Sequence, residues 1–331
     1  MKGLHLIFDG NNTSYRANAV TELYTKQGER TSAIIGTLNI THSTMINLTK
    51  ELKMPIKEVI YAWDMGHSPR RMSVFPDYKG NRKKTFTPEN AEWMKEFIHQ
   101  ANVLHENLPL FGIKSYRKKG WEGDDIVLGI VEEVTKEAPE DLSVIISTDE
   151  DFHQLISLST AVYSPIKKIL YTLDNYKELT GIDHENFLTY KILKGDSSDG
   201  IPGIPGIGEK TAKTLVNTYG SLETLLEASD ELKKSKRTAK IFTQEGLSTL
   251  DRNNRLINLR EYVDLSEIHG DIVALLEEEP TIDEKAVKAF LMRYQLTSIL
   301  VKFKSWIDTF SEAVDNFYGI PAYIYNNGTQ E

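Results

Sequence analysis

Three short apolar segments, each followed within two residues by an aspartate, constrain the fold of this chain more than any other feature. The segments are residues 4–8, 58–63 and 143–147, and the aspartates are Asp9, Asp64 and Asp149. Their length and their β-branched and aromatic residues are typical of buried strands. Stretches with helical spacing, including residues 31–52 and 122–137, separate them. Strands that alternate with helices predict an α/β fold with a mostly parallel sheet flanked by helices.

Acidic residues gather where these predicted strands end. The carboxyl ends of parallel strands meet at one edge of a sheet, which is where ligands bind. Further acids open the helix at 122 or follow the third strand: Glu122, Asp124, Asp125 and Asp151. A single aspartate at such a place is commonly a helix cap or a solvated turn, but capping does not explain so many at one edge. Ligation by oxygen alone favours Mg²⁺ or Mn²⁺ over zinc.

Residues 194–212 combine two more acids with a glycine-proline turn. Asp196 and Asp199 lie on a short polar loop, and a helix is predicted to begin at Glu209. Three glycines in the turn allow close backbone approach, and two lysines follow in the first turns of the helix: Gly203, Gly206, Gly208, Lys210 and Lys213. Free N–H groups at a helix start bind phosphate without reading bases. The alternative is a tight connection between two helices.

A basic segment lies between the second and third predicted strands. Residues 68–85 contain six basic residues and one acid. The basic residues are Arg70, Arg71, Lys79, Arg82, Lys83 and Lys84. Because an aromatic residue, Tyr78, lies within this run, we interpret residues 68–105 as a helical arch that contacts a phosphate backbone above the acidic edge. The alternative is a solvated charged loop. Arg16, on the helix after Asp9, is a further predicted DNA contact.

Composition narrows the class of protein. The 331 residues suit two domains, or one large domain with an annex. The chain has no apolar run long enough to span a membrane and no cysteine, and its N-terminus does not resemble a signal peptide. We therefore expect a cytoplasmic protein without disulfides or thiolate metal sites. A net charge of −9 argues against a general nucleic-acid binder but not against a nuclease whose carboxylates are offset by cations.

Five motifs resemble, in order, those of the 5′-nuclease superfamily, which contains flap endonucleases and 5′–3′ exonucleases. They are residues 8–17, residues 63–64 with 78–82, residues 122–125, residues 147–152 and residues 194–199. The chain looks most similar to phage RNase H-type flap endonucleases, and the match runs over residues 4–219. Gly123 stands where the family often has alanine, and Glu150 where glycine is usual. Neither departure removes an acid.

The resemblance implies a PIN-like nuclease core, a helical arch and a helix-three-turn-helix. It also implies nine carboxylate ligands for two Mg²⁺ ions, with Mn²⁺ as a substitute: Asp9, Asp64, Glu122, Asp124, Asp125, Asp149, Asp151, Asp196 and Asp199. Lys79 and Arg82 match the family's two basic catalytic positions. Tyr78 matches an arch tyrosine that stacks on a terminal base, and its alternative is packing against the helix of its own insert. A K⁺ ion held by backbone carbonyls of the glycine-proline turn is also implied.

The function that the resemblance implies is a structure-selective 5′-nuclease. Such an enzyme cuts DNA flaps and 5′ ends, and RNA primers in RNA–DNA hybrids, by a two-metal mechanism that leaves 5′-phosphate. Because no polymerase follows in the chain, we expect a phage protein in the host cytoplasm, acting as a monomer. Two other functions stay open: a PIN-type ribonuclease, and a DNA junction-binding protein without catalysis.

The expected domains are residues 1–182, the core with its arch, and residues 183–331, a helical region. In the core, residues 161–173 predict a β-hairpin. The helical region contains the helix-three-turn-helix over residues 184–219. Further helices are predicted at 221–228, 232–258, 283–295 and 297–315. The aromatic tail over 315–331 is expected either to bind a replication protein, such as a clamp or single-strand binding protein, or to be a packed strand or a loose end.

Overall fold

The computed structural model describes residues 2–80 and 87–319, and within these residues six strands form the central sheet. The strands are β1 (Leu4–Asp9), β2 (Ile56–Trp63), β3 (Lys114–Arg117), β4 (Leu142–Ile146), β5 (Thr160–Ser164) and β6 (Ile169–Tyr171). Their order across the sheet is β3-β2-β1-β4-β5-β6. Neighbouring strands are parallel except β6, which is antiparallel to β5. The predicted mostly parallel sheet and the predicted hairpin are therefore confirmed.

The register of the central strands explains why their acids meet. β1 is buried along its whole length and lies between β2 and β4. Asp9 pairs with Ala62 near the end of β2, and Phe8 pairs with Ile146 at the end of β4. The three strands therefore end at nearly the same level. Both faces of these strands are buried, which explains why their sequences are almost continuously apolar instead of alternating with polar residues.

Helices cover both faces of this sheet. They are α1 (Gly10–Val20), α2 (Ser32–Leu52), α3 (Pro69–Val74), α4 (Pro88–Asn107), α5 (Gly123–Glu137), α6 (Tyr176–Thr180), α7 (Phe187–Lys194), α8 (Glu209–Tyr219), α9 (Leu222–Glu227), α10 (Ser229–Leu232), α11 (Gln244–Ile257), α12 (Leu259–Tyr262), α13 (Ser266–Glu277), α14 (Glu284–Arg293), α15 (Thr297–Leu300) and α16 (Phe303–Phe317). Short 3₁₀ helices lie at Leu108–Leu110, Glu150–Leu155, His184–Asn186 and Thr238–Phe242. None of these helices is both long enough and apolar enough to cross a membrane.

Two apolar clusters lie on opposite faces of the sheet because successive strand residues point to opposite sides. Ile7 belongs to the cluster formed with α5, α7 and α8. Phe8 belongs to the cluster formed with α2, α14 and α16. The helices α14 to α16 therefore pack against the sheet instead of against α7 and α8.

The structure corrects several predicted elements. The predicted helix over 232–258 is broken, because α10 ends at Leu232 and α11 begins at Gln244. Thr243 caps α11 by accepting a hydrogen bond from the Gly246 N–H at 3.0 Å. At Gly246 a β-carbon would lie 2.0 Å from the Lys240 carbonyl oxygen, so the chain turns tightly here. The predicted helix over 297–315 is similarly divided into α15 and α16, and the sequence patterns missed β3 and α13.

A two-stranded ribbon shapes the turn between α7 and α8. Its strands are β7 (Gly195–Asp196) and β8 (Ile201–Pro202), and they are antiparallel. Gly203 lies so close to the end of α7 that a β-carbon there would be 2.1 Å from the Lys194 carbonyl oxygen. The ribbon thus closes the polar loop that carries Asp196 and Asp199 and directs it toward the sheet edge.

Candidate active site

Asp9 is the innermost acid of the strand-end edge. It is the last residue of β1 and is 7% exposed. One of its carboxylate oxygens accepts a hydrogen bond from the Asn12 N–H at 3.0 Å, which caps α1. The other accepts the Ser147 hydroxyl proton at 2.9 Å. The strand, the helix that follows it and the end of β4 are therefore joined through this side chain.

Asp64, directly after β2, connects the end of that strand with the starts of α1 and α5. Its Oδ1 accepts a hydrogen bond from the Gly123 N–H at 2.5 Å. Its own N–H donates to Asn11 Oδ1 at 3.0 Å. A side chain at Gly123 would lie 3.1 Å from this carboxylate oxygen, so glycine permits the close approach. Asn11 was not predicted as a site residue, although its place directly after the first strand was a signal.

The strand-end acids perturb one another's protonation. Burial, followed by the charges of Asp64 and Asp149, raises the pKa of Asp9 to about 7. Burial, followed by Asp149 and Asp9, raises the pKa of Asp124 well above its ordinary value. Burial also raises the pKa of Asp149. These four carboxylates, which we call the strand-end group (Asp9, Asp64, Asp124 and Asp149), therefore share one poorly solvated region.

A second set of acids lies beside the strand-end group and contains a lysine. The Lys191 ammonium is 2.5 Å from Asp151 Oδ1 and 2.5 Å from Asp196 Oδ2, and its side chain is 3% exposed. Asp196 Oδ1 accepts hydrogen bonds from the N–H of Ser198 at 2.7 Å and from its hydroxyl at 2.5 Å. We call Asp151, Asp196, Asp199 and Lys191 the loop group.

Protonation within the loop group follows these contacts. Burial raises the pKa of Asp151 to about 6, although Lys191 opposes the shift. Burial acts in the same direction on Asp196, but Lys191 and Ser198 outweigh it and lower that pKa to about 2. The nearby charges of Asp151 and Asp196 raise the pKa of Lys191 despite its burial. The sequence analysis did not single out Lys191; a lysine between buried residues of α7 was the available signal.

Tyr78 and Lys79, in the first half of the arch insert, contact two acids from different segments: Glu122 at the start of α5 and Asp199 in the loop between α7 and α8. The Tyr78 hydroxyl is 2.9 Å from Glu122 Oε2 and 2.8 Å from Asp199 Oδ2, and its single proton serves one of them at a time. The Lys79 ammonium is 3.0 Å from Glu122 Oε2, and the Lys79 N–H donates to the Asp199 carbonyl oxygen at 2.8 Å. Arg71 and Lys79 outweigh the effect of burial and lower the pKa of Glu122.

Tyr78 requires a correction. We predicted either stacking on a terminal base or packing against the helix of its own insert. In the structure Tyr78 is 7% exposed and packs in a cluster with Ile201, Leu256 and Ile257. These residues belong to β8 and α11, so the first half of the insert is docked on the helical region. Neither alternative describes this position, because sequence spacing carries no information about a partner so distant along the chain.

Arg71 and Asp125 also differ from the prediction. Arg71 is 2% exposed and donates two hydrogen bonds to Asp125, at 2.8 Å and 2.7 Å. Arg71 is therefore wrong as a predicted DNA contact. Both oxygens of Asp125 face this arginine, so Asp125 is not directed at the strand-end group as a metal ligand would be. A buried charge is stable only when it is paired, and Asp125 provides that partner for Arg71. This basic segment is therefore not solvated along its whole length.

The remaining predicted DNA contacts fall into three classes. Arg16, Lys210, Gly206 and Gly208 are exposed. Two are partly engaged: Arg70 donates to the Arg255 carbonyl oxygen at 3.2 Å, and Lys213 pairs with Glu209 at 3.0 Å. Arg82, Lys83 and Lys84 lie outside the described residues. At the turn, Gly206 has a φ of +88°, which favours glycine, and Gly208 precedes the first turn of α8.

The far half of the insert packs on the core. α4 contacts α1 and α2, and the Tyr15 ring lies edge-on to Trp93 and Phe97 at centroid distances of 5.0 Å and 5.4 Å. The two halves of the insert are therefore anchored on different parts of the molecule, α3 on α11 and α4 on α1.

The donor set fits a hard divalent cation. The strand-end and loop groups present carboxylate oxygens, the ligands preferred by Mg²⁺ and Mn²⁺. Burial, followed by neighbouring carboxylates that include Asp149, raises the pKa of Asp9 and of Asp124, as expected for like charges close together in a poorly solvated region. Across residues 2–80 and 87–319, however, no group of three or more acidic or histidine side chains is arranged to hold a metal ion. Backbone N–H groups, hydroxyls and two lysines hold the carboxylates instead.

Comparisons with known proteins cover nearly the whole described chain. The family model described as 5′-3′ exonuclease, N-terminal resolvase-like domain, matches residues 4–182. The model described as 5′-3′ exonuclease, C-terminal SAM fold, matches residues 182–297. A thermostable DNA polymerase I from Thermus thermophilus is 30% identical over 305 residues, which cover 91% of this chain and 33% of the polymerase. The chain thus spans about a third of the length of this curated relative.

Solved structures share the fold. A bacteriophage T5 protein co-crystallised with metal ions superposes with a TM-score of 0.64 at 20% identity, covering 95% of this chain and 99% of that one. A bacteriophage T5 flap endonuclease in a pseudo-enzyme–product complex with DNA and metal ions has a TM-score of 0.62 at 21% identity, with coverage of 94% and 99%. At this level of identity the likeness establishes the architecture.

Proposed function

This chain belongs to the 5′-3′ exonuclease family, and we propose that it is a structure-selective, metal-dependent 5′-nuclease. Its substrates would be DNA with 5′ flaps or 5′ ends and the RNA primers of RNA–DNA hybrids. Hydrolysis would break the bond between phosphorus and the 3′ oxygen, so that the released end carries 5′-phosphate.

The proposal rests above all on the strand-end group. The four acids come from the end of β1, the residue after β2, the start of α5 and the loop after β4. Burial, followed by the charges of Asp64 and Asp149, raises the pKa of Asp9, and burial, followed by Asp149 and Asp9, raises that of Asp124. Helix capping alone does not explain why acids from four segments lie close enough to repel one another. Carboxylates in this arrangement suit the recruitment of divalent cations to a phosphodiester.

Two Mg²⁺ ions, or Mn²⁺ in their place, would activate water and stabilise the leaving 3′ oxygen when bound. The strand-end group would hold one ion, and the loop group with Glu122 would hold the other. Lys79 would contact the scissile phosphate and stabilise its developing charge, after leaving Glu122. Arg82 is assigned the same role through its match to the family motif. Asp125, which is paired with Arg71, would support the site from behind.

The turn before α8 would hold the uncut duplex. The N–H groups of the first turn of α8 and the exposed Lys210 suit a phosphate backbone, since neither carries sequence information. A K⁺ ion bound by carbonyl oxygens of this turn is part of the proposal. The distance between the turn and the carboxylates would select the position of the junction.

The wider organisation is proposed as follows. We propose residues 1–182 as the nuclease core and residues 183–331 as the helical region, a division supported by the meeting of the two family models at residue 182. Within the second part, α14 and α16 pack back against the core. We propose that the protein acts as a monomer in the cytoplasm, the host cytoplasm if it is phage-encoded. Tyr323 and Tyr325 of the proposed partner-binding tail lie outside the described residues.

The deciding experiment is cleavage of labelled flap, nicked and RNA–DNA hybrid substrates, with Mg²⁺ and with EDTA. We expect Mg²⁺-dependent products one or a few nucleotides long, together with products cut at the flap junction, all with 5′-phosphate. Cleavage of RNA alone would favour a PIN-type ribonuclease. Tight junction binding without any Mg²⁺-dependent product would identify a non-catalytic binder.

A further inference from the structure

Lys191 is a buried lysine whose two ion-pair partners are both acids of the proposed metal centre. Its ammonium bridges Asp151 and Asp196 at 2.5 Å each. A buried lysine without such partners would be strongly unfavourable, so the bridge accounts for its stability in the fold. The bridge also joins two segments that are distant in sequence, the 3₁₀ turn after β4 and the loop at β7.

The backbone around Lys191 keeps the ammonium in this position. Lys191 lies in the last turn of α7, where the partial negative charge of the helix end favours a cation. Asn253 of α11 donates a side-chain hydrogen bond to the neighbouring Ile192 carbonyl oxygen at 2.9 Å, which attaches this end of α7 to α11. The backbone of α7 next to Lys191 is therefore fixed by α11, while the Lys191 ammonium faces Asp151 and Asp196.

We propose that Lys191 is above all a fixed counter-ion of the loop group, and that its charge makes the second cation site weak in the absence of substrate. This inference rests on the proposed function, because it concerns one of the two proposed cation sites. Lys191 holds Asp151 and Asp196 at a fixed separation without metal. Its positive charge also opposes any divalent cation that approaches the same two carboxylates.

Removing the charge of Lys191 should change the affinity for a cation in the opposite direction to the removal of a purely structural lysine. A structural lysine keeps the ligands in place, so its removal would weaken cation binding. A resident counter-ion competes electrostatically with the cation, so its removal would strengthen binding even though the metal-free protein becomes less stable. Cation affinity and metal-free stability should therefore change in opposite directions.

The experiment uses the full chain without DNA, titrated calorimetrically with Mn²⁺ alone. The variants are Lys191→Met and Lys191→Gln, which remove the charge, and Lys191→Arg, which retains it. Lys194→Met is the matched control, because Lys194 lies on the same helix but contacts Tyr190 at 3.1 Å instead of an acid. Thermal unfolding in EDTA gives the stability of every variant, and circular dichroism establishes that each is folded.

We expect both neutral variants to bind the second, more weakly bound Mn²⁺ ion at least about tenfold more tightly than the wild type does. If the wild type shows a single binding event, the neutral variants should show two. Their melting temperatures in EDTA should fall, whereas Lys191→Arg and Lys194→Met should resemble the wild type in Mn²⁺ affinity. Unchanged or weaker Mn²⁺ binding in the neutral variants would overturn the inference. A wild type that binds no Mn²⁺ and cuts no flap would instead overturn the proposed function.

Discussion

The strand-end group and the loop group each contain several poorly solvated acids close together, but their negative charge is compensated in different ways. In the strand-end group, Asp9 accepts hydrogen bonds from the Asn12 N–H and the Ser147 hydroxyl, and no basic side chain within residues 2–80 and 87–319 pairs with it. Burial, followed by the charges of Asp64 and Asp149, raises its pKa to about 7, so a proton compensates part of the charge. In the loop group Lys191 supplies a permanent positive charge, and the pKa of Asp196 falls to about 2. Asp9 is therefore sensitive to protons near neutral pH, whereas Asp196 stays ionised beside Lys191. Asp151 lies between the two cases, because burial raises its pKa to about 6 although Lys191 opposes the shift.

The origin of the acids explains this difference. The strand-end group is positioned by the backbone of the sheet, whose register is specified by two apolar faces. The buried contacts of Glu58 with Lys114 at 2.6 Å and with His5 at 2.9 Å also join neighbouring strands, away from the strand-end acids. The loop group lies where the 3₁₀ turn after β4 meets the loop between α7 and α8. A contact between such segments needs a specific attraction, and the lysine bridge provides it.

The sharpest test of the comparison is a pair of aspartate variants. Asp9→Asn and Asp196→Asn should each reduce flap cleavage roughly a hundredfold to a thousandfold or more while retaining junction binding. In EDTA at pH 7.5, Asp9→Asn should raise the free energy of unfolding by about 1 kcal/mol because repulsion is relieved. Asp196→Asn should lower it by roughly 3 kcal/mol because Lys191 loses a partner.

Asp174→Asn is the control for these variants, since Asp174 is exposed and outside both groups. Cleavage rates come from labelled flaps, and stability comes from chemical denaturation. A shift in stability of the same sign for Asp9→Asn and Asp196→Asn would remove the distinction between the two groups.

Lys79→Ala separates chemistry from binding. Lys79 contacts Glu122 at 3.0 Å and lies 3.9 Å from Asp199, so it is placed to meet a phosphate brought between the acids. We expect the single-turnover cleavage rate to fall about a hundredfold and junction affinity to change only a few-fold. Lys177→Ala, in an exposed ion pair with Asp183, is the control. A normal single-turnover rate for Lys79→Ala would exclude its proposed role.

The pH dependence of stability should differ between wild type and Asp9→Asn in the absence of metal. A carboxyl whose pKa is raised on folding stabilises the fold below its unfolded value of about 4 and loses that stabilisation as pH rises to about 7. Wild type should therefore lose stability relative to Asp9→Asn between pH 5 and 7, by up to about 1.4 kcal/mol per pH unit. Mg²⁺ should stabilise the wild type increasingly over the same range, because it binds the ionised form.

The difference between the two proteins is the informative quantity. Burial lowers the pKa of His105 to about 4 and of His153 to about 3, so these histidines add stability as pH rises to about 6.5. Their contribution is common to both proteins and cancels in the comparison. Parallel pH profiles of the melting temperature in EDTA would contradict the proposed protonation of the strand-end group.

The smallest expected effect is that of Tyr78→Phe. The phenylalanine keeps the packing against Ile201, Leu256 and Ile257 but loses the hydroxyl shared by Glu122 and Asp199. We expect a loss of about 1 kcal/mol in the free energy of unfolding in EDTA, and a smaller loss with Mg²⁺, because cations then separate the two acids. An equal loss in both conditions would show that the hydroxyl does not serve the acids.

Much of the core was predictable from local pattern. The segments that became β1, β2 and β4, the hairpin of β5 and β6, and helix α8 at Glu209–Tyr219 were all predicted, because each has a short-range apolar period or a capping signal. The convergence of Asp9, Asp64 and Asp149 followed from parallel topology alone. β3 was missed because it is a four-residue edge strand with two charged ends, which has no apolar period to detect.

Side-chain partners were predicted less well. Arg71 and Asp125 were assigned to DNA and metal, but they pair with each other at 2.7 Å and 2.8 Å. Lys191 was overlooked although it is the ion-pair partner of two predicted ligands. Charge type and position in the chain identify residues that carry chemistry, but they do not identify which opposite charge each one meets.

The amino-acid sequence by itself determined the parallel sheet, the edge at which its acids gather and the glycine-proline turn before α8. These follow from periodicity, strand direction and backbone freedom, which act over a few residues. Only the tertiary structure decided which acids are compensated by protons and which by lysine or arginine. That outcome depends on burial and on distances between residues up to 138 positions apart in the chain, since electrostatic interactions in a poorly solvated interior are set by three-dimensional proximity.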